Sequence, residues 1–262
     1  MVRDAPWPVI LLPGAVLPAS LAYAALLTEL GGDVDARAKE LEVYAGETVP
    51  PPDYSLETEV GGIRRVASEA GFETFHLVGY SAGGACSLAF TARHSGQVRS
   101  LALLEPAWAG RSGQGPDEAA VFDRLRTIVK LPADEALPAF IRAQVADGVE
   151  APSPPNGPPP PWMHPRAAGI GGLIGAFDAY QLDVEVLRRF DRPVYFALGG
   201  RSNPDLYARI ADRLGRVFAD FTLDVYADRH HFDPPHRIEP ARLAAALRDV
   251  WTRADSIAPA VQ

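Results

Sequence analysis

Apolar positions along the chain fall into two kinds of run, and the two kinds take turns. Residues 8–12 form a short apolar run closed by Pro13-Gly14, which reads as a buried strand ending in a turn. Residues 19–30 are rich in Ala and Leu and stop at Gly31-Gly32, a helix with its terminator. Residues 41–44 (Leu-Glu-Val-Tyr) alternate and predict a short second strand, followed by the loop Pro50-Pro51-Pro52. Residues 56–70 repeat with helical spacing (Val60, Ile63, Val66, Ala67, Ala70) and end at Gly71. A strand at 75–80, a helix at 82–93 and a strand at 98–104 come next. Late strands are predicted at 193–198 and 221–226, with a helix over about 205–218 between them. A closing helix over 237–253 carries Leu243, Ala246, Leu247 and Val250. Such alternation predicts an α/β fold, a mostly parallel sheet with helices on both faces.

Residues 107–192 break the rhythm. They hold helical patterns around 119–130, 133–146 and 179–190, and the segment from Pro152 to Trp162 has seven prolines in its first ten residues. Seven prolines make a stiff extended strap rather than a helix or a sheet core. A recruitment site for a proline-reading partner is the alternative, but the segment sits inside a domain rather than in a tail. The expected organisation is a core of residues 1–106 and 193–262 with a helical, Pro-rich cap at 107–192.

Composition narrows the class. With 47% hydrophobic residues in 262, the chain can build a sizeable core, and a net charge of −8 argues against nucleic acid or an anionic membrane as partner. The single cysteine, Cys86, excludes a disulfide framework and a cysteine-rich metal cage. Near the N-terminus, Asp4 offsets Arg3 and Pro13-Gly14 cuts the apolar run short, against a signal peptide. The expected location is cytoplasmic.

Gly79-Tyr80-Ser81-Ala82-Gly83, extended by Gly84, is the sharpest motif. A strand runs into it and a small-residue helix leaves it, the context in which a strained turn exposes a nucleophilic hydroxyl. A serine hydroxyl needs a base. His76 lies within a strand and His94 at a helix end, whereas His230-His231 follows the last strand and precedes the closing helix. The placing of Phe232 and the following turn favours His231 over His230, and His236 behind Pro234-Pro235 is third. His230, His231, Asp233 and His236 lack the spacings of known metallohydrolase motifs, so no metal is expected. For the acid that orients the base, Glu105 ends the strand after the motif and is followed by Pro106; Asp205, in the loop after the next strand, is the alternative. Pro13-Gly14-Ala15 could aim a backbone N–H at a developing oxyanion, paired with the N–H of Ala82.

Taken together, these features resemble the α/β-hydrolase fold superfamily over essentially the whole chain. Gly79-Tyr80-Ser81-Ala82-Gly83-Gly84 is similar to its nucleophile elbow, and Leu11-Leu12-Pro13-Gly14 to its oxyanion turn, with proline where most members have histidine. Residues 107–192 fall where that superfamily inserts a cap, and His231 falls on its base position. Most members carry Gly-x-x-Asp after the penultimate strand; this chain has Gly200-Arg201-Ser202-Asn203. Some members place the acid one strand earlier, and Glu105 matches that arrangement.

The resemblance implies acyl transfer to water with no cofactor: Ser81 attacks a carbonyl, His231 moves the proton, Glu105 orients it, and Ala15 and Ala82 hold the oxyanion. Trp108 and Trp162, with Phe140 and Phe177, point to a small apolar substrate. C–C hydrolases and lyases use the same constellation on this fold. A non-catalytic binding protein is the rival class, kept open by Ser202 and Asn203 at the usual acid position. Oligomeric state is not legible.

Overall fold

Trp7–Leu12 (β1) is the hydrophobic run expected, and it becomes the hub of the sheet. The computed structural model describes residues 5–150 and 158–257. Arg3, Asp4 and residues 152–157 of the expected proline strap lie outside the described residues. From β1 the chain passes through Ala19–Ala22 (α1) and Ala24–Leu30 (α2), one predicted helix split at Tyr23, into Val34–Ala38 (β2). Leu56–Glu69 (α3), Phe75–Tyr80 (β3), Ala82–His94 (α4) and Val98–Leu104 (β4) follow. After an insertion come Val194–Gly199 (β5), Arg209–Val217 (α9) and Phe221–Tyr226 (β6), with Pro116–Ile128 (α5), Ala133–Arg142 (α6), Arg166–Ala179 (α7) and Val184–Leu187 (α8) inside the insertion. Pro235–Ile238 (α10) and Pro240–Ser256 (α11) close the chain.

All pairings between these six strands are parallel, in the order β2-β1-β3-β4-β5-β6. Period-two alternation splits their side chains into two cores. Ile10, Leu12, Leu77 and Leu103 face α3, α4 and the insertion, while Val9, Leu11, Val78 and Leu104 face α2 and α11. Because every strand runs the same way, the segments that leave their C-terminal ends gather along one edge. Tyr80 pairs with Leu104 and Gly199 with Tyr226, so the chain leaves β3, β4, β5 and β6 beside one another.

The second strand is not where its hydrophobic pattern put it. Leu41-Glu42-Val43-Tyr44 is a turn with a 3₁₀ segment, Glu42–Tyr44, and β1 pairs instead with Val34–Ala38, only partly buried at the sheet edge. Leu41 and Val43 are buried, as their apolarity demands, but their backbone does not join the ladder. The N–H groups of Glu42 and Val43 donate to the carboxylate of Glu59 on α3, at 2.9 and 3.0 Å. A carboxylate does there what a neighbouring strand would otherwise do.

Within 107–192 the patterns at 119–130 and 133–146 correspond to α5 and α6. The third does not: residues 179–190 form only the single-turn α8, and a fourteen-residue helix, α7, precedes them. Gly169, Gly171, Gly172 and Gly175 hid α7, since glycine is a poor helix former. Gly169 is there because a Cβ would run into the Tyr44 ring, so α7 lies directly on the 42–44 turn.

Candidate active site

Ser81 sits in the turn between β3 and α4 with φ 53° and ψ −119°, a conformation L-residues rarely hold. The turn closes because Gly83 has no side chain: a Cβ would strike the Leu12 carbonyl at the end of β1. Ser81 N–H donates to the Leu104 carbonyl (3.1 Å) and Ala107 N–H donates to the Ser81 carbonyl (2.8 Å), locking the turn to the end of β4. Glu105, the next residue after β4, also has positive φ, 45°. Two adjacent turns therefore carry backbone strain on the same sheet edge.

The strain at Glu105 turns its carboxylate inward, where it is buried. Oε1 accepts the Gly199 N–H at 2.8 Å, and Oε2 lies 3.0 Å from His231 Nδ1. The other ring nitrogen, Nε2, lies 3.0 Å from Ser81 Oγ. His231 is itself buried, in the loop after β6, and the Tyr80 hydroxyl donates to its carbonyl oxygen. A carboxylate at Nδ1 fixes the tautomer with the proton on Nδ1, leaving the Nε2 lone pair for the serine. The three residues expected to form a serine–base–acid set are thus hydrogen-bonded in that order.

The other candidates lie elsewhere. His230 Nδ1 accepts the Phe232 N–H and lies 3.2 Å from Asp233 Oδ1; burial holds its pKa below the usual histidine range. His236 is fully buried against Tyr23 and Tyr80, and burial with the nearby Arg237 lowers its pKa to about 3. His76 is buried in β3 with Nδ1 2.8 Å from Ser100 Oγ, and His94 packs on Phe90 at the end of α4. Asp205 is exposed, its N–H donating to Asn203 Oδ1. Ser202 and Asn203, at the usual acid position, lie against the insertion: the Ser202 backbone bridges Val145, and Asn203 Nδ2 donates to the Ala143 carbonyl at 2.8 Å. Among the described residues no group of three or more His, Cys, Asp or Glu side chains converges as a metal site would.

Ser81 opens into a cleft of about 660 Å³, its mouth included, shared between the sheet edge and the insertion. Ala15 and Ala82 flank the serine, Trp108 and Phe177 form part of the apolar wall, and Gln144 and Tyr207 are its polar groups near the base. Arg126 and Asp178 reach the cleft already paired to each other at 2.7 Å. Trp162 does not border this cleft. It lies in a neighbouring one with Val16, Leu137 and Phe232, because the Pro161–Met163 turn is tied to α7 through Arg166 Nε, which donates to the Trp162 carbonyl. The sequence did not single out Tyr207. Its only signal there is its position a few residues beyond a strand's C-terminal end, on the edge where the other site residues gather.

Comparison with protein families matches residues 45–152 to the alpha/beta hydrolase fold. No curated protein sequence matches the chain. Among solved structures, the chain is similar to a thermophilic esterase from Thermogutta terrifontis, at TM-score 0.70 and 15% identity over 95% of this chain and 91% of that one. It is also similar to a putative lipase from Acinetobacter baumannii (TM-score 0.67, 15% identity, 95% and 86% covered). A meta-cleavage product hydrolase from Pseudomonas fluorescens aligns at TM-score 0.64 and 17% identity, with 95% and 92% covered.

Proposed function

We propose, from the premise that this chain has the alpha/beta hydrolase fold, that it is a serine hydrolase cleaving a carboxylic ester, lactone or related acyl bond of a small apolar molecule. The observation that carries the reading is the unbroken hydrogen-bonded order Glu105–His231–Ser81 at 3.0 Å per step, opening into an apolar cleft.

The chemistry follows from the proton positions. Glu105 holds Nδ1–H, so Nε2 takes the Ser81 proton as Oγ attacks the carbonyl carbon. Negative charge then grows on the carbonyl oxygen. The Ala82 N–H, at the start of α4, and the Ala15 N–H, after the Pro13-Gly14 turn, are the donors assigned to it; one such donor is worth ~10²–10³ in kcat. The imidazolium returns its proton to the leaving oxygen, and water resolves the acyl-enzyme by the same steps in reverse. Glu105 stays charged throughout, fixed by the Gly199 N–H. Arg126 is neutralised by Asp178 and Asp123, so among the described residues the cleft offers no free cation to a charged acid and favours an uncharged acyl group.

The test is labelling by a fluorophosphonate read by intact mass. One label is expected, on Ser81, and Ser81→Ala is expected to lose both the label and turnover of p-nitrophenyl butyrate. Labelling that survives in Ser81→Ala removes the nucleophile from this position.

A further inference from the structure

His231 has a second neighbour at its reactive nitrogen. The hydroxyl oxygen of Tyr207 lies 3.0 Å from Nε2, the same distance as Ser81 Oγ. The two rings are stacked, their centroids 4.4 Å apart and their planes 14° from parallel. Tyr207 therefore lies on the face of the imidazole, and the in-plane direction of Nε2 is left to the serine.

The direction of the Tyr207 proton is set from the insertion. Gln144 Nε2 donates to the Phe140 carbonyl at 2.9 Å, which turns Oε1 toward Tyr207 at 2.7 Å. An amide oxygen can only accept, so the phenolic proton is on the Gln144 side. The oxygen lone pairs are then what Nε2 meets. Burial pushes the phenol pKa well up, with Glu105 adding to it, so the hydroxyl keeps that proton.

Resting on the serine-hydrolase reading above, we propose that Tyr207, oriented by Gln144, is a positioning residue that favours the imidazolium of His231. When the Ser81 proton arrives on Nε2, the new positive charge meets both the electron-rich face of the Tyr207 ring and the negative end of its C–O dipole. No proton moves to Tyr207; the proton passes from Ser81 to Nε2 and on to the leaving oxygen, and Gln144 keeps the phenolic proton turned away. This gives residue 144 of the insertion a part in the proton chemistry of the sheet edge.

Other charges face the same imidazole. Glu105 contacts it from the turn after β4, and Tyr80 packs on it from β3 with ring centres 5.0 Å apart. His230 and His236 interact with it from its own segment, with Asp233 and Arg201 acting on His230 and Arg237 on His236. Among the described residues Tyr207 and Ser81 are the two at hydrogen-bond distance from Nε2, so changes at Tyr207 are read against a fixed set of charges.

The experiment follows the His231 ring by NMR titration, beside the pH dependence of kcat for p-nitrophenyl butyrate, in wild type, Tyr207→Phe, Gln144→Leu and the double variant. Losing an interaction with the charged form moves the midpoint down. Tyr207→Phe is expected to shift the His231 titration by about 0.5 pH toward acid, and to lower kcat threefold to tenfold with KM little changed. Gln144→Leu releases the phenolic proton toward Nε2 and is expected to act in the same direction, while adding nothing in the Tyr207→Phe background. An unchanged His231 titration in Tyr207→Phe overturns the proposal; should that variant not fold, an unchanged titration in Gln144→Leu does so. The titration needs no turnover, so a wild type that hydrolyses no ester would count against the hydrolase reading and leave the role of Tyr207 to be decided by NMR.

Discussion

Glu105 and Asp205 put the question of the acid in its simplest form, since both are carboxylates just beyond neighbouring strands. Burial separates them. Glu105 is enclosed, accepts a backbone N–H with one oxygen and meets His231 with the other, while Asp205 is exposed at the start of a π-helical turn, Pro204–Ala208. Removing the charge from a triad carboxylate has cost ~10⁴ in kcat in the serine-protease case. Glu105→Gln is therefore expected to lower kcat by about 10³–10⁴ with little change in Tm, and Asp205→Asn to change it less than about tenfold. Steady-state kinetics with both variants checks this; the reverse ranking would move the acid to Asp205. At this scale the sequence was most legible at Ser81, because the glycines around it exist to permit one strained turn. It was less so at His230-His231, where adjacent residues differ only in which way the loop points. Trp162 shows the limit: an aromatic residue in an insertion announces burial, but which cleft it meets depends on how its turn is tied to the next helix.

Elements that carry their own hydrophobic period were readable, and those stabilised by a distant partner were not. β1, β3, β4 and β5 follow from short apolar runs bounded by turns, and α3 from period 3.6. The 41–44 turn was misread because its apolar alternation is real, while its backbone donors are satisfied by Glu59 from another element. Glu59 is fully buried: besides those two N–H groups it accepts the Tyr54 hydroxyl at 2.8 Å and lies 3.6 Å from Lys39 Nζ. Replacing it with an apolar residue strands two amides and a phenol together, while Lys39 keeps Glu42 at 3.0 Å and the Glu40 carbonyl at 2.8 Å. Glu59→Leu is expected to cost about 3–5 kcal/mol in urea unfolding, at roughly 1–3 kcal/mol for each buried donor left without an acceptor, and Glu59→Gln less because one acceptor oxygen remains. A cost below about 1 kcal/mol for Glu59→Leu would mean that the turn is held by its buried Leu41 and Val43 alone. The glycines of α7 mislead in the opposite way, since they lower helix propensity but allow the close approach to Tyr44 that holds the helix.

For the whole molecule, the parallel sheet gathers the candidate site along one edge, and acid stability is expected to depend on a histidine packed against Tyr80 beside it. His236 has an ordinary pKa near 6.5 when unfolded and about 3 when buried. As pH falls below 6.5 the unfolded chain takes up a proton that the native protein refuses, so stability is lost from there down toward pH 3. The slope is at most about 1.4 kcal/mol per pH unit. His236→Phe is expected to flatten the fall in urea stability between pH 6.5 and 5, above the range where most carboxylates contribute; an equal slope in both proteins would show that other groups set it. The helices between β4 and β5 show in the sequence as a loss of alternation, but their attachment to the rest of the chain does not, because it is made of a few isolated contacts. Arg213 pairs with the buried Glu118 and lies over Trp108, and Ser202 and Asn203 hold residues 143–145. Those two residues occupy the position where an acid would be expected, and their work is mooring. A transplant cut at residues 107 and 192 would therefore leave half of its fastening behind on the recipient. The unit that can be exchanged as one piece is discontinuous, and it has to carry the 199–207 loop and Arg213 with it.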